Sequence, residues 1–125
     1  MSADKETQIT DNGRQGPLRN LRVLDIATII AGPLAGSLLA DFGADVLKIE
    51  LPERGDAIRA LPPHKDGVAL WSKVVNRGKR GITLDLRTPE GAELFKKMIA
   101  ERDVLIENFR PGTLEKWNLD PVRLR

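Results

Sequence analysis

The sequence predicts an α/β fold, an open parallel sheet with flanking helices. Three observations carry that reading. A short apolar run, Leu21, Val23, Leu24 and Ile26, gives way to a helical pattern and then at once to a second apolar run, Val46, Leu47 and Ile49. This strand, helix, strand succession closes within roughly thirty residues, the length of a right-handed crossover between parallel strands. A second succession, from Ile82 through a well-marked helix to Val104, Leu105 and Ile106, repeats the order.

Each element has its own local signals. Asp25 interrupts the first strand, and a carboxylate buried there needs partners. Thr28 to Pro33 form a turn, with Pro33 suited to the first turn of a helix. Leu34, Leu38, Leu39 and Phe42 then share one helical face, while Ala35, Gly36 and Ala40 are small enough for close packing on a sheet. Gly43 is a natural left-handed stop. The second strand runs from Asp45 to Glu50. Between Leu51 and Arg80, Pro52, Gly55, Pro62, Pro63, Gly67 and Gly78 are mixed with charges, which predicts mostly loop; loops of that length are usually functional or mobile.

Regular structure returns with a strand over Ile82 to Leu86. The following helix has Thr88 as N-cap, Pro89 at its first position and Glu90 against its positive end, and is expected to bury Leu94, Phe95, Met98 and Ile99. A strand over Val104 to Ile106 ends at Glu107, Asn108 to Gly112 turn the chain, and a short helical segment surrounds Thr113 to Trp117. Asp120 and Pro121 read as the N-cap and first residue of a further helix that has barely begun at Arg125.

Composition bounds the function. A chain of 125 residues holds one domain with a real core but is small for a complete α/β enzyme. Hydrophobic residues at 41% and charged residues at 30% are ordinary for a soluble globular protein, and no apolar run reaches membrane length. Lysine plus arginine at 20 against 18 acidic residues leaves a net charge of +2, which gives nucleic-acid binding no support. With no cysteine there is no disulfide, thiolate nucleophile or thiolate metal ligand, and the single histidine, His64, cannot build a multi-histidine site. A reducing cytoplasm is compatible with this usage. Met1 to Pro17 are polar, with neither a signal-peptide nor a transit pattern, and are expected to form a disordered leader before a domain over 18–125.

A strand, turn, helix opening invites the dinucleotide fingerprint, but that fingerprint is absent. Ala31-Gly32-Pro33 supplies one glycine and then a proline, which lacks the N–H a pyrophosphate cradle would use. No phosphate-binding P-loop is present either. Asp25 and Asp45 read as structural carboxylates, His64 as exposed, Trp71 and Trp117 as packing residues, and Asn108 as a side chain that caps its turn.

The residues do carry a resemblance. Val23-Leu24-Asp25, Ala31-Gly32-Pro33, the run from Leu39 to Glu50, Gly55-Asp56 with Arg59, Asn76 to Asp85, and Glu107 to Gly112 follow one another in an order that resembles the amino-terminal portion of class III CoA-transferases, the CaiB/BaiF, formyl-CoA transferase-like family. The resemblance covers Leu18 to Arg125. It implies a Rossmann-like, coenzyme A-binding domain, incomplete relative to the full family fold, whose full-length relatives form interlocked homodimers. The implied reaction moves CoA from an acyl-CoA thioester to a carboxylic acid. An aspartate attacks the thioester carbonyl, giving a mixed anhydride and then an aspartyl-CoA thioester. That aspartate falls beyond the asparagine-phenylalanine turn, so no catalytic residue is assigned within this chain, and no metal.

The same resemblance places CoA contacts at Ile29 and Ile30 in the turn after the first strand, at Leu84, at Asn108 and Phe109 beside adenine and ribose, and at Lys116 near the phosphates. Some relatives have histidine at the position of Thr28 and glutamine at that of Ile30, so contacts there fall to the backbone. Lys116 replaces an arginine, keeping the charge but not the fork, and Leu51 replaces a phosphate-binding arginine, with Arg54 and Arg59 as nearby substitutes. Strand carboxyl ends line the ligand crevice of an open parallel sheet, which is where Thr28 to Ile30, Glu50 to Leu51 and Asn108 to Phe109 fall. Lys79, Arg80, Arg110 and Lys116 offer cations for phosphates there. Two alternatives stay open: the α-methylacyl-CoA racemase branch of the same family, and a non-catalytic CoA-binding or interaction module.

Overall fold

A computed structural model of the chain describes residues 13–124. Four parallel strands form one sheet in the order β5-β2-β1-β6, with β1 at Arg22–Asp25, β2 at Asp45–Glu50, β5 at Arg80–Thr83 and β6 at Val104–Ile106. The register is continuous: Leu24 lies opposite Leu47 on one side and Leu105 on the other. All strands therefore end on one side of the sheet, and the connections gather there.

Helix α1, Ala31–Asp41, joins β1 to β2 as the expected crossover, and Gly43 closes it with φ at 103°. A Cβ at Gly43 would lie 2.0 Å from the Gln15 carbonyl oxygen, so only glycine lets the chain before β1 cross here. Of the expected leader, residues 1–12 lie outside the described residues. Arg14 does not dangle; it donates to Ala44 O and to Asp45 at the start of β2.

The face that α1 buries differs from the one its large residues suggest. Pro33, Gly36 and Ser37 are buried, whereas Leu38 and Phe42 are 47% and 56% exposed. Close approach to the sheet and to its helical neighbour selects small residues over large ones. Ser37 Oγ donates to Val75 O at that contact. Helix α3, Pro89–Ile99, starts as expected, with Thr88 Oγ1 accepting from Gly91 N at 3.0 Å. It buries Gly91, Ala92 and Phe95, but Leu94 is 49% exposed, one position off the buried stripe.

The segment expected to be mostly loop is more ordered than that. It contains a short 3-10 helix at Ala57–Ala60, a two-residue hairpin of β3 (His64–Lys65) and β4 (Val68–Ala69), and α2 at Leu70–Val75, which packs on α1. Proline and glycine mark the boundaries of these pieces rather than the absence of structure, and Ile58, Ala69 and Val75 are buried beneath them. Strand β5 starts two residues before its expected position and ends three before it, because Arg80 to Thr83 pair with Leu47 to Glu50.

Two apolar clusters hold the sheet. One joins Leu24, Ile26, Leu47 and Ile49 to Leu86, Ala92, Phe95, Leu114 and Leu119, and so ties α3 and the short α4 (Thr113–Lys116) to one face. The other packs Val23, Ala44 and Val46 with Leu18, Leu21 and Leu39. Asp120 Oδ1 accepts from Val122 N at 2.9 Å, so the expected cap forms a turn within the described residues.

Candidate functional site

The carboxyl ends of the strands converge on a small apolar cavity of about 100 Å³. Buried Ile26, Ile49 and Leu86 line it together with partly buried Thr28, Leu51, Leu84, Phe109 and Trp117, which with exposed Arg87 lie toward its mouth. The location follows from topology: parallel strands splay at their carboxyl ends, and the loops that leave them leave a crevice. Phe109 meets Trp117 edge to face, with ring centroids 5.1 Å apart at 76°, so the aromatic rim is fixed by its own packing. Arg87 and Trp117 also line an adjoining groove of about 230 Å³ that contains Lys116.

Across from the aromatic rim lies the turn between β1 and α1. Side chains from four separate segments bind its backbone. Asp25 Oδ1 accepts from Ala27 N at 3.0 Å. The Lys48 ammonium donates to Ala27 O. Asn108 both accepts from Thr28 N and donates to Thr28 O, each at 2.9 Å. Both carboxylate oxygens of Asp56 accept from Ile29 N, at 2.9 and 3.1 Å. Beyond these, Ile30 serves as the N-cap of α1 without a side-chain bond. The N–H groups of Ile30, Ala31 and Gly32 at this helix start have no partner within the described residues.

Beneath the turn lies a buried array of alternating charge. Lys79 Nζ meets Asp25 at 2.7 Å, Lys48 Nζ meets Asp25 at 3.8 Å and Asp56 at 3.1 Å, and all four side chains are at most 3% exposed. Two carboxylates and two ammoniums leave no net charge, which is what makes burial of all four tolerable. Desolvation pushes the Lys79 ammonium below its ordinary pKa against the pull of Asp25. At the periphery Glu50 binds Arg59 in a fork, 2.7 Å on each oxygen, and Oε2 also accepts from Asp56 N at 2.7 Å. That fork, foremost, holds the Glu50 carboxyl below its ordinary value. Gly55 has φ at 66°, and a Cβ there would lie 2.6 Å from Glu50 Oε2, so a larger residue at the bend into Asp56 would push against the Glu50–Arg59 fork.

The sequence-derived candidates fall into distinct places. Leu84 and Phe109 line the cavity. Ile29 and Ile30 lie half exposed on the turn, with Ile29 at a φ of 69°. Asn108 is spent on Thr28 rather than on a cap of its own turn. Lys116 sits in the adjoining groove. Two expected cations are elsewhere. The Lys79 side chain is 1% exposed and bound to Asp25, Pro33 O and Asn76, so it faces no ligand. Arg80 pairs with Asp45 at the amino end of β2, the opposite end of the sheet from the crevice. Arg59 is committed to Glu50. Arg87 was not singled out from the sequence; its signal was its place just past a strand end, and it is paired with Asp85, whose carboxyl it draws down to a pKa of about 2. Trp117 packs as expected, but it also forms the cavity mouth.

Residues 18–125 match the profile of CoA-transferase family III. The chain is 51% identical over 104 residues to succinyl-CoA–D-citramalate CoA-transferase of Chloroflexus aurantiacus, covering 82% of this chain and 26% of that one. It is 46% identical over 119 residues to succinate–glutarate CoA-transferase of Agrobacterium fabrum, covering 90% of this chain and 30% of that one. Among solved structures, a CaiB/BaiF family protein from Brucella suis superposes with a TM-score of 0.81 at 46% identity, over 89% of this chain and 30% of that chain. The chain thus spans between 26% and 30% of the length of these three relatives.

Proposed function

The chain belongs to CoA-transferase family III, and from that premise we propose that it forms the coenzyme A-binding portion of an enzyme that moves CoA from an acyl-CoA thioester to a carboxylic acid. The observation that supports this best is the pairing of an apolar, aromatic-rimmed cavity with unpartnered backbone donors at the start of α1 and with Lys116 in the adjoining groove. Adenine suits the cavity between Leu84 and Phe109. The phosphates suit Lys116 and the positive helix end.

In this reading Ile30 contributes a backbone rather than a side-chain contact through its free N–H, Ile29, whose own N–H is held by Asp56, contributes only its carbonyl, and Asn108 acts by fixing Thr28. The family's aspartyl nucleophile is assigned to no residue of this chain, so the portion binds without carrying out transfer. Full-length assembly is proposed as a homodimer acting in the cytoplasm; no helix among the described residues is long and apolar enough to cross a membrane. Calorimetric titration with CoA tests the binding claim. A Kd of about 1 mM or tighter supports it, and absence of heat with the folded chain at several millimolar CoA refutes it. A parallel assay for transfer between succinyl-CoA and a dicarboxylate should read zero; turnover by this chain alone would overturn the assignment of the chemistry elsewhere.

A further inference from the structure

We infer that Asp56 is a positioning residue for the ligand-binding turn, fixing the backbone at Ile29 so that the donors of Ile30 to Gly32 stand ready before coenzyme A arrives. The inference rests on the reading of that turn as part of a CoA site.

Ile29 is a β-branched residue at φ 69°, a region that such residues avoid because the branched carbon crowds the following carbonyl. A conformation of that kind persists only where its surroundings over-determine it. Asp56 does so directly, through two contacts to Ile29 N. The carboxylate is not a solvated cap; Asp56 is 4% exposed. Capping the helix at Ala57–Ala60 uses a single bond from Ile58 N at 3.0 Å, which leaves the reach to Ile29 and to Lys48 unexplained by capping alone. Lys48 closes the loop, because the ammonium that pairs with Asp56 also donates to Ala27 O. Asp56 and Lys48 together therefore grip the turn on either side of Thr28, which Asn108 holds from the other flank. The placement of Asp56 is set in turn by Glu50, which accepts from its N–H and is itself held by Arg59.

The test compares D56N with the double variant K48M/D56N, which removes the ammonium together with the carboxylate and so avoids stranding a buried charge. S37A, which removes the buried hydrogen bond from α1 to Val75 O of α2 and touches neither the turn backbone nor Asp56, serves as the control for lost stability alone. Hydrogen exchange at the Ile29 amide is read in the free chain, CoA affinity by calorimetry, and global stability by urea denaturation. Whichever Asp56 variant folds should show at least tenfold faster exchange at Ile29. Its CoA Kd should rise about tenfold, the factor expected when one turn in ten is competent. Turn amide resonances should return to wild-type positions at saturating CoA. Unchanged Ile29 exchange in a folded variant overturns the inference, as does a loss of affinity that S37A matches at equal loss of stability. If the wild-type chain binds no CoA, the site reading fails, and the exchange measurement alone decides whether Asp56 positions the turn.

Discussion

The side-chain amide of Asn108 and the backbone of Thr28 form a reciprocal pair of hydrogen bonds, 2.9 Å each, across 80 positions of sequence. The pair sits just beyond the last rung between β1 and β6, where Ile26 N donates to Ile106 O at 3.0 Å. A primary amide presents a donor and an acceptor side by side, as a peptide does, so Asn108 extends the sheet by one rung after the strands have diverged. That extension binds the aromatic rim of the cavity, through its neighbour Phe109, to the turn opposite.

Asn108→Asp keeps the acceptor for Thr28 N but loses the donor to Thr28 O and sets a carboxylate oxygen against a carbonyl. The variant should lose about 1 kcal/mol in urea denaturation, the net cost of a broken, solvent-exposed hydrogen bond. Its CoA affinity should fall as well. A variant as stable as the wild type would show that the rung bears no tension.

Helix α3 offers a contrast between adjacent residues. Phe95 is fully buried in the cluster with Leu24, Ile26 and Leu119, so Phe95→Ala should cost about 3–5 kcal/mol. Leu94→Ala, on the exposed flank, should change stability by no more than about 0.5 kcal/mol in the same denaturation series. Equal losses would mean that the helix is rotated about its axis from the orientation described.

How much of this was legible in the sequence depends on whether the signal was local. Strand β2 and the start of α3 were read correctly because their evidence lies within a few residues: apolar periodicity for one, Thr88-Pro89 for the other. Leu94 shares the apolar spacing of its helix yet stays exposed, because spacing shows that a helix has an apolar face whereas the residues that approach the sheet are set by clearance: on α3 a Cβ at Gly91 would lie 1.9 Å from Asp85 O. Lys79 illustrates the limit for the site. Its partner Asp25 lies 54 residues away, and no local pattern distinguishes a lysine that meets a phosphate from one that neutralises a buried carboxylate. The need for a partner to Asp25 was readable; the partner was not.

The Glu50–Arg59 fork predicts an acid-side dependence. A carboxyl whose folded pKa is depressed stabilises the fold above its unfolded value, here 4.5, and that contribution is lost as pH falls through the folded value. Arg59→Ala removes the largest cause of the depression. The Glu50 carboxyl resonance should then titrate at higher pH, and the stability lost between pH 7 and the acid range should shrink. An unmoved Glu50 titration would mean that the backbone bond from Asp56, rather than the guanidinium, sets its proton affinity.

Trp117 gives a direct optical test of the cavity. The chain has two tryptophans, and Trp71 lies on α2 at 43% exposure, while Trp117 forms the cavity mouth beside Phe109. W71F isolates the Trp117 signal. If adenine enters between Leu84 and Phe109, CoA should shift or quench that emission along a saturable curve whose Kd matches calorimetry. W117F should abolish the optical change. L84D, which puts a carboxylate into the apolar wall, should weaken binding by at least about tenfold, since an unpaired charge there must be desolvated or force its neighbours apart. Binding that proceeds in W71F with no change in Trp117 emission, and that L84D leaves untouched, would move the nucleotide out of this cavity and onto the groove that holds Lys116.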